Sequence, residues 1–150
     1  MSHCSPAEAD LSRNDIPRIA MIGQPNTGKS MLYNRITGAS AHVGNWPGIT
    51  VSLSNARVKL SGRELEFVDL PGIYDLEGFS EDETVVADFL KTYPVDLVII
   101  VINSSQIDRQ ILMPLQVKLL GLPAVVMLNM ADEARRHGID IDTQELSARL

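Results

Sequence analysis

The chain has 150 residues, room for about one domain, and at this length roughly 68–70% of the unfolded surface can be buried without metal or disulfide staples. Hydrophobic residues make up 45% and charged residues 21%, proportions that exclude a disordered or fibrous chain. Thirteen Lys and Arg against 19 Asp and Glu give a formal charge of −6, which argues against a broad nucleic-acid or anionic-membrane surface but allows a local basic pocket.

One cysteine, Cys4, excludes an internal disulfide and a multi-cysteine zinc site. No run approaches the ~18 apolar residues of a membrane span. The start has no charged segment followed by an apolar one, so no signal peptide is read and the default compartment is cytosolic.

Residues 1–16 are polar and aperiodic and read as a flexible leader. His3 and Cys4 are soft-metal donors, but two ligands on a mobile tail make a poor site. From Pro17 the pattern becomes orderly. Arg18 to Ile22 reads as a short strand, followed by a glycine-containing turn and a helix from about Gly28 to Thr37. Thr50 to Leu60 and Glu64 to Leu70 read as two strands joined at Ser61 and Gly62, a hairpin. Ser80 to Tyr93 has an acidic first turn and apolar Val85, Val86, Phe89 and Leu90 at helical spacing.

Asp96 to Asn103 is a continuous apolar run, as in a strand buried on both faces of a parallel sheet. Gln106 to Gly121 reads as a helix in which Pro114 predicts a kink or a late start. Ala124 to Leu128 is another buried strand, and Thr143 to Leu150 a helix with Thr143 as its cap. Alternating strands and helices predict an α/β, doubly wound, mainly parallel sheet with flanking helices and one antiparallel edge.

Gly23, Gln24, Pro25, Asn26, Thr27, Gly28, Lys29 and Ser30 match G-x-x-x-x-G-K-S/T between a predicted strand and a predicted helix. Glycines at 23 and 28 let successive backbone N–H groups converge on phosphate oxygens, beside the positive end of the helix. Lys29 would reach the β- and γ-phosphates and Ser30 would ligate Mg²⁺. Asp69, Leu70, Pro71 and Gly72 close a predicted strand, where a carboxylate can hold a Mg²⁺-bound water and the Gly72 N–H can approach the γ-phosphate. Asn129, Met130, Ala131 and Asp132 follow the last predicted strand. The Asp132 carboxylate can accept two N–H groups from guanine, whereas adenine presents an acceptor and no amine there.

In this order the motifs resemble those of the translation-factor-related GTPases. GQPNTGKS, HVGNWPGITV, DLPGIYDL and NMAD together closely resemble the cytosolic G domain of the ferrous-iron transporter B (FeoB) family, over roughly Pro17 to Leu150. The resemblance implies a P-loop GTPase fold and a guanine-nucleotide site. It adds Met31 after the phosphate loop, and Gly48, Ile49 and Thr50 as switch I, with the Thr50 hydroxyl on Mg²⁺. Mg²⁺ would thus be held by Ser30, Thr50 and Asp69. Met130 would cover the base with an apolar stem.

Asn26 resembles a potassium ligand of cation-activated relatives, so K⁺ would supply charge where an arginine finger otherwise acts. Lys29, Thr50, Gly72 and Asn26 would then carry hydrolysis of GTP. Ile73 stands where many GTPases place a water-orienting glutamine, so intrinsic hydrolysis should be slow.

Trp46 has two readings: part of a mobile switch, with fluorescence that differs between GDP and GTP-analogue forms, or a residue packed on the sheet edge. His42 is read as a solvated surface residue. Glu77, Glu81, Asp82 and Glu83 are read as favouring a helix N-terminus, although carboxylates also accept divalent cations.

The resulting expectation is a GTP-binding, GTP-hydrolysing switch domain over 17–150 that couples nucleotide state to Fe(II) uptake. The resemblance also implies a helical regulatory domain, a membrane permease domain, placement at the cytoplasmic face of the inner membrane, no nucleic-acid partner, and a homo-oligomer formed through the full-length protein. The rival expectations are a soluble ribosome-assembly or tRNA-modification type GTPase and a guanine-nucleotide sensor with negligible turnover. The fifth guanine motif would lie beyond Leu150, which predicts weakened nucleotide affinity and an uncovered sheet edge.

Overall fold

A computed structural model describes residues 15–150. The donors His3 and Cys4, and nearly all of the leader expected at 1–16, lie outside the described residues. Among the described residues six strands, β1 (Arg18–Gly23), β2 (His42–Gly44), β3 (Leu53–Leu60), β4 (Arg63–Asp69), β5 (Leu97–Asn103) and β6 (Ala124–Asn129), form one sheet in the order β2-β3-β4-β1-β5-β6. At its centre β1 (Arg18–Gly23) is buried along its whole length. It runs parallel to β4 (Arg63–Asp69) on one side and β5 (Leu97–Asn103) on the other, and β6 (Ala124–Asn129) continues the parallel half. The expected hairpin is present: β3 (Leu53–Leu60) pairs antiparallel with β4, from Ser54 opposite Asp69 to Leu60 opposite Arg63. Beyond it lies β2 (His42–Gly44), a short antiparallel edge strand absent from the sequence reading.

The alternation of β1 divides the core into two layers. Ala20 and Ile22 join Val68, Val98, Ile100 and Ile102 on one face. That face is covered by Val85, Val86, Phe89 and Leu90 of α2 (Glu81–Thr92) and by Met113 and Val117 of α4 (Leu112–Leu119). Ile19 and Met21 point the other way, with Phe67 and Val101, against Tyr33 of α1 (Lys29–Thr37). Each fully buried apolar side chain contributes about 1.5–3 kcal/mol over its exposed state. The α1 layer covers the middle of the sheet, while Val125 and Met127 of β6 stay exposed.

Several boundaries differ from expectation. The strand predicted from Thr50 begins only at Leu53, because Pro47 and Gly48 make a turn closed by the Ile49 N–H on the Trp46 carbonyl at 2.9 Å. Gly48 has φ 80 there, as a Pro-Gly turn of type II needs. The long helix ending at Gly121 is split at Ile111, between α3 (Ile107–Gln110) and α4, in keeping with Pro114 two residues into the second piece. The last helix, α6 (Thr143–Arg149), is capped by Asp142 and not by Thr143: the Asp142 carboxylate accepts the N–H groups of Gln144 and Glu145. A six-residue helix, α5 (Ala131–Arg136), was missed in the sequence because it is short and almost entirely polar. Among the described residues no helix is long and apolar enough to cross a membrane.

Candidate functional site

Residues 23–30, 69–72 and 129–132 lie at the ends of the parallel strands β1, β4 and β6, the crevice that α/β sheets offer to ligands, whereas Gly48, Ile49 and Thr50 lie between the edge strands β2 and β3. The loop after β1 is held by its own polar groups: the Thr27 hydroxyl donates to the Gln24 carbonyl at 3.0 Å. Asn26 takes φ 63, a left-handed conformation that Asn tolerates better than most residues, and its side chain is exposed. Gly28 caps α1 at φ 88. A Cβ there would collide with Asn129 Nδ2, so a side chain at this position must displace that amide. Asn129 Nδ2 in turn donates to the Thr27 carbonyl at 2.8 Å. The end of β6 and the phosphate loop are thus one unit, although 102 residues separate the two partners. This amide bond was not anticipated: the sequence reading assigned Asn129 to guanine.

Lys29 is buried, and its ammonium donates to the Asp69 carboxylate and, at 2.6 Å, to the Leu70 carbonyl. An ammonium taken out of water needs such partners. The two residues expected to serve phosphate and Mg²⁺ are therefore adjacent. Gly72 lies against Pro25 of the phosphate loop, where an added Cβ would be 3.2 Å from the proline ring. Next to it the Ile73 N–H donates to the Gly23 carbonyl at 3.0 Å, and the Ile73 side chain is buried. Pro71 sits half-buried between these anchors. The D-L-P-G segment is thus fastened to the phosphate loop by backbone at one end and by Lys29 at the other.

Ser30, Met31 and Thr50 are exposed. Met130 caps α5 at φ 57, a left-handed conformation that is uncommon outside glycine. Asp132 is exposed and pairs with Arg136 one turn on, at 2.9 Å. The Glu133 backbone N–H, with Arg136 helping, holds its carboxyl below the usual aspartate range, so it is an anion ready to accept N–H donors.

Trp46, for which the sequence left two readings, is buried. Its ring packs edge-on against Phe89 and Tyr93 with centroids 5.1 and 4.9 Å apart. The Arg18 guanidinium lies 5.0 Å from the ring centre while bonding Glu66 at 2.8 Å. The Tyr93 hydroxyl donates to the Pro47 carbonyl at 2.5 Å. One end of the segment that carries Thr50 is therefore pinned to α2.

In the acidic cluster, Ser80 and Glu83 form a reciprocal capping box that accounts for part of it. Among the described residues no group of three or more His, Cys, Asp or Glu could hold a metal ion.

The model of the ferrous iron transport protein B N-terminal family matches residues 17–150. The chain belongs to this family. The Fe(2+) transporter FeoB of Synechocystis is 58% identical over all of the chain, which spans only 25% of that relative's length. The cytosolic domain of Legionella pneumophila FeoB superposes with a TM-score of 0.81 at 40% identity, covering 87% of this chain and 52% of that one. An S. thermophilus NFeoB variant bound to GDP gives 0.81 at 37%, covering 90% and 53%. The expected fold class is confirmed, a mainly parallel sheet with flanking helices shared with G-domain structures of the family.

Proposed function

We propose that residues 17–150 form the guanine-nucleotide-binding, GTP-hydrolysing switch domain of a ferrous-iron transporter. The observation that carries the proposal is the junction of Thr27, Gly28 and Asn129. It joins the phosphate loop to the end of β6, just ahead of the first turn of α5 that bears Asp132, an arrangement that suits a ligand with phosphates at one end and a base at the other. The relative bound to GDP supports the choice of nucleotide.

In this reading the backbone N–H groups of Gln24 and of residues 26–30 bind the phosphates, and Lys29 leaves the Asp69 carboxylate for the phosphate oxygens. The exchange keeps the buried ammonium paired and frees the Asp69 carboxylate. Ser30, Thr50 and Asp69 are hard oxygen donors that fit Mg²⁺, and they would hold it. A bound Mg²⁺ would supply positive charge against the phosphate oxygens, and K⁺, if held by the Asn26 side chain, would add charge without an arginine finger. Met31, Gly48, Ile49, Leu70, Pro71 and Met130 line or shape the nucleotide site. The Asp132 carboxylate accepts the two guanine N–H groups. Gly72 brings its N–H to the γ-phosphate. Water is oriented by backbone and phosphate oxygens, because Ile73 is apolar and buried.

The chain spans a quarter of the Synechocystis relative, so iron uptake belongs to a longer protein in this proposal. There a helical regulatory domain and a membrane permease domain would receive the switch at the cytoplasmic face of the inner membrane.

The test is titration with a fluorescent GDP analogue, competed by GTP and ATP, followed by phosphate release in K⁺ and in Na⁺. GTP should compete and ATP should not, and K⁺ should stimulate release where Na⁺ fails. Equal competition by ATP overturns the guanine assignment. Equal stimulation by both ions removes the potassium role, and binding without release under any cation leaves a sensor in place of an enzyme.

A further inference from the structure

The loop that follows D-L-P-G is held at both ends. At its start the Ile73 N–H bonds the Gly23 carbonyl. At its far end stands Gln116, a side chain of α4 that belongs to none of the sequence motifs. Gln116 Oε1 accepts the Leu76 N–H at 3.1 Å, and Gln116 Nε2 donates to Asp75 Oδ1 at 2.6 Å. Asp75 Oδ1 also accepts the Glu77 N–H at 2.8 Å. The Gln116 amide holds the Asp75 carboxyl below its ordinary value, with the Glu77 N–H helping.

Gln116 is buried beside Met113 and Val117, where an apolar side chain would pack without desolvating an amide. Both polar ends of that amide find their partners in this one loop. The loop therefore cannot shift without breaking two bonds made by a buried group, and such groups are costly to leave unpaired.

We propose that Gln116 is a positioning residue for GTP hydrolysis, clamping Asp75 and Leu76 to α4 so that Gly72 and Ile73 stay seated against the phosphate loop. This rests on the GTPase reading above. Gln116 touches no reacting atom; it acts through the loop. A misplacement of order 1 Å in such a segment costs up to about 100-fold in rate.

The experiment compares three forms with the unsubstituted chain. Gln116→Met keeps the length of the side chain and removes both bonds. Gln116→Glu sets a carboxylate against Asp75. Asp75→Asn combined with Gln116→Glu reverses donor and acceptor in the bond between the two side chains and keeps an acceptor for the Leu76 N–H, at the loss of the Asp75 bond to the Glu77 N–H. Single-turnover GTP hydrolysis should fall about 10- to 100-fold in the two single variants, with affinity for a fluorescent GDP analogue unchanged, and should largely recover in the double variant.

Hydrogen exchange of residues 72–79 should quicken in Gln116→Met and return toward the parent rate in the double variant. Parent-like hydrolysis in Gln116→Met overturns the proposal, as does a loss in Gln116→Glu that the double variant does not repair. If the unsubstituted chain binds no guanine nucleotide, the GTPase reading fails separately. Exchange alone then decides: quickened exchange sustains the clamp, and unchanged exchange overturns it.

Discussion

Trp46 offers a sharp test of how the segment before Thr50 is anchored. The residue is 8% exposed, and its ring has edge-on contacts to Phe89 and Tyr93 at 5.1 and 4.9 Å and lies 5.0 Å from the Arg18 guanidinium. Removing a core aromatic by Trp46→Ala costs about 3–5 kcal/mol in transfer and cavity terms. For a domain of this size each kcal/mol moves Tm by about 2–4 °C, so Tm should fall by roughly 6–20 °C. Tyr93→Phe removes only the hydroxyl bond to Pro47 and should cost about 0.5–1.5 kcal/mol.

Thermal unfolding followed by far-UV circular dichroism measures both. Trp46 is the sole tryptophan, so acrylamide quenching of its emission reports burial without interference. A Tm for Trp46→Ala within about 2 °C of the parent, or quenching as efficient as for free tryptophan, would refute the anchored description.

Gly28→Ala should destabilise by roughly 1.5–3.5 kcal/mol, from the left-handed backbone and the lost Asn129 bond together. Gly62→Ala, at φ 78 with nothing within 4 Å, is the control in urea unfolding and should carry only the backbone part. Asp132→Asn should abolish the preference for GTP over ATP in competition binding while leaving Tm unchanged, because its pair with Arg136 is exposed and such pairs contribute little.

The Ser80 N–H holds the Glu83 carboxyl below its ordinary value of 4.5. A folded value below the unfolded one means stability that is fully present above 4.5 and lost as pH falls through the lowered value. Glu83→Gln should therefore flatten the stability profile below pH 4.5; an unchanged slope would remove Glu83 from the account.

Much of the fold was legible because its signals are local. The continuous apolar run of β5 requires burial on both faces, and the alternation of β1 feeds two layers. The phosphate loop was legible for the same reason: its glycines, lysine and serine serve one turn between a strand and a helix. The edge strand β2 left no such mark, since three mostly exposed residues carry no period. Asp142 displaced Thr143 as cap because either side chain can accept N–H groups, and only the backbone decides which one does.

Register and packing settled the rest. Parallel pairing of β1 with β4 and of β5 with β6 carries Lys29 to Asp69, Asn129 to Thr27 and Gln116 to Leu76. Each is a bond between residues forty or more positions apart, where no spacing rule reaches. Trp46 shows the division most clearly. By itself the sequence determined that an aromatic stands before a Pro-Gly turn. Only the tertiary structure, by bringing Phe89, Tyr93 and Arg18 around the ring, decided that it is an anchor, because burial depends on what the rest of the chain places beside it.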